Sequence, residues 1–130
     1  MSDTPPIANI PRKTGWARLQ AAACNSWAGV RAAGKQAAFR QELVLAAVLI
    51  PAAFWVGRNW LEVAFLASVV VLVLVVEVLN SAIEAVVDRI GPEWHPLSKD
   101  AKDLGSAAVL LCLLFAFATW TWALYVRWFA

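Results

Sequence analysis

Val69 to Val76 is an uninterrupted apolar run, and it passes without a turn-forming residue into Glu77-Val78-Leu79-Asn80-Ser81-Ala82-Ile83-Glu84-Ala85-Val86-Val87-Asp88-Arg89. On a helix of 3.6 residues per turn, Glu77, Glu84 and Asp88 fall within about 20° of one line. Asn80 and Ser81 flank that line. The chain must therefore carry one narrow polar stripe on an otherwise apolar helix. A carboxylate at membrane depth costs about 2.5–3.5 kcal/mol on insertion scales. Two readings meet that cost. The stripe either carries chemistry or is a polar seam holding helices together. Asn80 and Ser81 alone fit both; the full row of acids favours chemistry.

A membrane setting follows from composition. The 130 residues are 62% hydrophobic, with eight Trp and nine acidic residues, against an apolar share of about 45–50% in soluble domains. The expectation is a small all-α integral membrane protein of one domain, 14–130, behind a disordered tail, 1–13. A net charge of +2 is too small to suggest nucleic acid. Cys24 and Cys112 belong to no metal or redox spacing and read as packing residues. The first 40 residues lack the apolar core of a secretory signal, so none is expected.

The tail, Met1 to Pro11, holds three prolines and no periodicity. Residues 14–35 form an amphipathic helix with Thr14 as N-cap. Trp16, Leu19, Ala23, Trp27 and Val30 recur at spacings of 3 and 4, while Arg12, Lys13, Arg18, Arg31 and Lys35 supply cationic edges. Such a helix lies in the headgroup plane or packs on its own bundle. Residues 37–56 are the first span. It is polar at Arg40-Gln41-Glu42 and is expected to kink at Pro51. Gly57-Arg58-Asn59 is a tight turn between Trp55 and Trp60. The second span, 61–90, is longer than a hydrocarbon core needs and stops at Gly91-Pro92. The third, 98–128, takes Ser98 as N-cap, starts polar at Lys99, Asp100, Lys102, Asp103 and Ser106, and ends in Trp120, Trp122 and Trp128.

Most cationic residues lie in the N-terminal part (Arg12 to Arg40) and around the Gly91 loop (Arg89, Lys99, Lys102). The Gly57 turn has Arg58 alone and the C-terminal end Arg127 alone. The positive-inside rule places the N-terminus and the Gly91 loop in the cytoplasm of a multi-pass inner-membrane protein.

Three groups then share one face. Glu77 and Glu84 stand about 10 Å apart along the axis, which suits two roles: the deeper Glu77 a proton acceptor, the shallower Glu84 a holder of a hydrated cation. Lys99, Lys102, Asp103 and Ser106 share a helix face. A lysine beside metal-holding carboxylates is what a nucleoside triphosphate needs, though the same residues also read as a solvated helix start. No glycine-rich phosphate loop is present. Arg40, Gln41 and Glu42, with Arg18 and Arg31, anchor to headgroups or meet the polar end of a lipid substrate. His95, the only histidine, reads as a surface residue or a ligand.

The stretch Glu77 to Gly91 closely resembles the signature of the prokaryotic integral-membrane diacylglycerol kinases. Ala37-Ala-Phe-Arg-Gln-Glu42, Ser26-Trp27 with Arg31-Ala-Ala33, and Lys102-Asp-Leu-Gly-Ser-Ala-Ala-Val109 support it. The resemblance runs from about Thr14 to the C-terminus. It implies a homotrimer of three-span subunits, each with a surface amphipathic helix, with active sites between subunits at the cytoplasmic boundary. It implies transfer of the γ-phosphoryl group of ATP, with Mg²⁺, to the primary hydroxyl of diacylglycerol. By position in the motif, Glu77 would be the general base, supported by Asn80, and Glu84 would hold the metal. Arg18, Asn25, Glu93, Trp94, His95, Lys102 and Asp103 would contact the nucleotide along with Glu84. Arg18, Ser26, Arg31, Ala38, Phe39, Arg40, Gln41, Glu42, Ser106 and Trp120 would line the lipid side with Glu77.

One position departs from the pattern. The family has an acidic metal ligand just before the Ala-Ala-Phe-Arg-Gln-Glu run, where this chain has Gln36, and Arg31 to Gln36 is one residue short. An amide oxygen still coordinates but brings no charge, and Lys35 beside it adds repulsion. Two other readings remain at this point: undecaprenol as the acceptor within the same family, or a small proton-coupled transporter. The transporter needs a midplane carboxylate but has no use for Lys102 and Asp103 beside Glu84. A third class is an assembly protein using Asn80 and Ser81 as polar glue.

Overall fold

The computed structural model describes residues 14–129; the tail expected at 1–13, with Arg12 and Lys13, lies outside them. The described chain is all-helical: α1 (Gly15–Ala33), α2 (Ala37–Val56), α3 (Trp60–Ile90) and α4 (Pro96–Phe129). Three of these, α2, α3 and α4, are long and apolar enough to cross a membrane.

The breaks between helices have local causes. After Ala33, the amides of Gly34, Lys35 and Gln36 bond back to Val30, Ala32 and Ala33 at 2.9–3.1 Å. This compact turn satisfies carbonyls at the end of α1 and delivers Gln36 as the N-cap of α2. Gly57 closes the next turn by absence of a side chain. A Cβ there would stand 2.7 Å from Val63 Cγ2 and 2.9 Å from the Val63 nitrogen. Asn59 then caps α3, its Oδ1 accepting from the Glu62 amide at 3.0 Å, and Glu62 pairs with Arg58 at 3.3 Å. At the far end Gly91, with φ 153°, stops α3. α4 begins two residues before the expected Ser98 cap. Pro96 takes the first helical position, where its missing N–H costs nothing, and the His95 ring accepts from the Leu97 amide at 3.2 Å.

α3 is the central element, packed against α2 on one side and α4 on the other; α2 and α4 touch little, and α1 touches α3 as little. The core lies along α3: Leu66, Val69, Val70 and Val73 meet Ala46, Ala53 and Val56 of α2 and Ala116 and Trp120 of α4. Alanines on α2 let the backbones approach, as in helix pairs within lipid. Trp120 donates from Nε1 to the Leu66 carbonyl at 3.3 Å, which satisfies the one polar atom of a buried ring. Phe65 and Phe115 meet edge-on at 6.3 Å. Outside this seam the apolar side chains of all three long helices face outward, the pattern of helices solvated by lipid.

The α1 helix runs where the periodicity predicts. Its apolar stripe (Trp16, Leu19, Trp27, Val30) and its charged edges are alike exposed, and Ala33 alone is buried. Thr14 stands at the N-cap position, but its side chain makes no capping bond.

Candidate active site

Continuing down α3 from Val73, the buried seam turns polar. Glu77 and Asn80 are the two buried polar side chains among the described residues, 4% and 7% exposed. Glu84 is half-buried and Asp88 exposed, so one helix face leads acids from the protein interior to its surface. Asn80 Nδ2 donates to Glu84 Oε1 at 3.3 Å. The amide that the family motif would pair with Glu77 is thus bonded to the next acid along.

α4 closes the site from the other side. Lys102 Nζ donates to Asp88 Oδ1 at 2.6 Å, which brings the polar start of α4 to the Glu84 end of α3. Asp103 turns away and pairs with Lys99 one turn earlier. Gly105, buried, sits against Asn80.

Glu42 stands half-buried on α2. Its Oε2 is buried and has no hydrogen-bond partner among the described residues. Glu42 lines a 470 Å³ cavity whose other walls are apolar apart from Thr121, among them Leu45, Leu49, Val73, Phe117 and Trp120. A long acyl chain fits such a wall chemistry, and the single carboxylate of Glu42 suits the polar end of a lipid. Phe39 is buried too but lines a different groove, with Val71, Val75 and Leu79.

Glu93 and His95 line a second cavity, of 650 Å³, with Val87, Ile90, Gly91 and Ser98. Trp94 points away, 77% exposed. The remaining expected contacts are not gathered in one chain. Arg18, Asn25, Ser26, Arg31, Gln36, Ala38, Arg40, Gln41 and Ser106 are exposed. Ser26 Oγ bonds its own helix at the Ala22 carbonyl, 3.0 Å. Arg40 Nη1 donates to the Lys35 carbonyl at 3.3 Å. Gln36 makes no side-chain capping bond.

Among the described residues no group of three or more His, Cys, Asp or Glu is placed to hold a metal. A divalent cation shared between one or two carboxylates and substrate phosphates needs no such group, and Glu84, half-buried and accepting from the Asn80 amide, has the donor chemistry for that role.

Two contacts carried no separate expectation: the pairing of Asp88 with Lys102 and the close approach of Gly105 to Asn80. Both cross between helices, where periodicity along one helix is silent. The available signal for Gly105 was its place inside a helical pattern, where a glycine costs stability unless packing requires it.

The family model "Prokaryotic diacylglycerol kinase" matches residues 24–124. A diacylglycerol kinase of Escherichia coli K12 is 52% identical over 108 residues, covering 82% of this chain and 88% of the relative. One of Pseudomonas aeruginosa is 50% identical over 109 residues, covering 83% and 89%. One of Haemophilus influenzae is 44% identical over 110 residues, covering 84% and 93%. With a family match over most of its length and relatives at half identity, this chain belongs to the prokaryotic diacylglycerol kinase family.

Proposed function

We propose that this chain is an ATP-dependent lipid kinase of the bacterial inner membrane, moving the γ-phosphoryl group of ATP onto the hydroxyl of diacylglycerol to give phosphatidic acid and ADP. The observation that carries the reading is the graded stripe of Glu77, Asn80, Glu84 and Asp88 on α3, with Lys102 reaching it from α4. The basic N-terminal part and Gly91 loop support a cytoplasmic position for this end, where the nucleotide is.

In this reading Glu77 receives the proton of the lipid hydroxyl at its carboxylate. The hydroxyl oxygen bonds to the γ-phosphorus, and the bond to the leaving ADP oxygen breaks. Burial keeps water, the competing acceptor, away from that carboxylate. Glu42 and the apolar cavity running to Trp120 hold the lipid. Lys102 neutralises phosphate charge once the nucleotide draws it from Asp88, and Glu93 and His95 contact the nucleotide from the α3–α4 loop. Glu84, oriented by the Asn80 amide, would hold Mg²⁺, and the ion would supply charge neutralisation to the phosphates during transfer.

The exposed residues of α1 and Gln36 find their partners in a homotrimer, with the site completed at a subunit boundary and the Trp16–Val30 stripe of α1 seated in the headgroup layer. The assay is ATP-dependent phosphorylation of diacylglycerol in mixed micelles, with undecaprenol in a parallel arm. Phosphatidic acid formed in step with ATP consumption supports the reading. Turnover only on undecaprenol reassigns the acceptor, and turnover on neither removes the kinase.

A further inference from the structure

Gly105 lies on α4 where it crosses Asn80 of α3. An added Cβ would collide with Asn80 Oδ1 and stand 3.3 Å from its Cγ. Real Cβ atoms do not approach an oxygen that closely, so any side chain at 105 would expel the amide. The Asn80 side chain has little room to yield: it is buried, and helical backbone restricts its χ1. Its orientation follows from chemistry. Turned over, the amide would set its oxygen against the Glu84 carboxylate, two acceptors facing each other. With Nδ2 toward Glu84 it makes the 3.3 Å bond. Oδ1 is then left against the bare backbone of Gly105, buried and without a hydrogen-bond partner among the described residues. A buried acceptor left unpaired is costly, and α3–α4 packing imposes it here.

We propose that Gly105 is a positioning residue for the metal-holding carboxylate: by lacking a side chain it lets α4 press the Asn80 amide onto Glu84, fixing that carboxylate for a divalent cation. The inference rests on the assignment of the metal to Glu84 made above. An orienting partner behind a ligating carboxylate affects metal affinity by roughly 10- to 100-fold. Gly105 acts on the cation through two other residues.

The test is Mn²⁺ binding, followed by electron paramagnetic resonance on the full-length protein in detergent with a non-hydrolysable ATP analogue. Wild type is compared with Gly105→Ala, Asn80→Ala, the double variant and Glu84→Gln. Gly105→Ala and Asn80→Ala should each weaken Mn²⁺ by roughly 10- to 100-fold. The double variant should be no weaker than either single, because the alanine methyl has no amide left to displace. Helix content and the KM for diacylglycerol should stay at wild-type values. Wild-type Mn²⁺ affinity in Gly105→Ala, or a fully additive loss in the double variant, overturns the proposal. If Gly105→Ala does not fold, Asn80→Ala carries the test, because it removes the amide without adding an atom; wild-type affinity there also overturns it. Affinity that survives Glu84→Gln instead overturns the metal assignment. Affinity lost in Glu84→Gln but kept in Gly105→Ala removes only the role of Gly105.

Discussion

Lys102 of α4 donates to Asp88 of α3 at 2.6 Å, across the end of the helix pair where the polar stripe reaches the surface. Both side chains are partly exposed, 42% and 68%, so the pair contributes little to stability. Its consequence is placement of a cation one turn beyond Glu84. Lys102→Met should raise the KM for ATP severalfold or more while leaving the KM for diacylglycerol unchanged. Asp88→Asn should leave the unfolding midpoint in detergent where it was. Steady-state kinetics with each substrate varied in turn, and a thermal melt, check both. A diacylglycerol KM that moves with the ATP KM would place Lys102 elsewhere.

Glu77→Gln keeps the shape of the side chain and removes its capacity to take a proton. Turnover should fall by about 10²–10⁴-fold, the usual contribution of a positioned base. Nucleotide binding and helix content should survive. Radiolabel transfer from ATP to lipid measures the loss, and a variant with undiminished turnover would discard the base assignment.

Gln36 caps α2 with an exposed side chain that makes no capping bond, so a charge can be added there without breaking a contact within the chain. Gln36→Glu should lower the Mg²⁺ concentration needed for half-maximal activity. A titration with Mg²⁺ at saturating ATP and lipid reads the shift directly. An unchanged or higher requirement would mean that residue 36 lies away from the metal.

Gly57 has no space beside it: the Val63 side chain and backbone nitrogen both lie within 3 Å of a would-be Cβ. Gly57→Ala should destabilise by about 1–3 kcal/mol, as overpacking does, with no change in either KM. The checking measurement is the unfolding midpoint in detergent. A wild-type midpoint would mean that the α2–α3 turn opens freely.

The architecture was legible because its signals are local. Apolar runs separated by Gly57-Arg58-Asn59 and Gly91-Pro92 give three long helices within a residue or two, and the Trp16–Val30 spacing gives the fourth. The start of α4 was misread because Ser98 is a strong cap by type, whereas Pro96 with the His95 ring provides an earlier start. The stripe on α3 was legible for the same local reason: a continuous helix fixes the relative angle of Glu77, Asn80 and Glu84. What crosses from helix to helix was not. The Asn80 bond to Glu84, the hold of Asp88 on Lys102, the seat of Asn80 against Gly105 and the cavity shared by Glu42 and Trp120 all depend on how α2 and α4 slide along α3. The family motif named several of these residues without saying which would touch. For α1 the spacing reads as a helix and a stripe, and among the described residues the large side chains of that stripe stay exposed.

The 31 residues of α3 make a rod of about 46 Å, against roughly 30 Å of acyl chains in a bilayer. The surplus gives the acids a gradient of surroundings on a single rigid support, dry at Glu77 and wet at Asp88. A greasy alcohol and a highly charged nucleotide can then meet without either leaving its own phase, and the new phosphate monoester forms already level with the other headgroups.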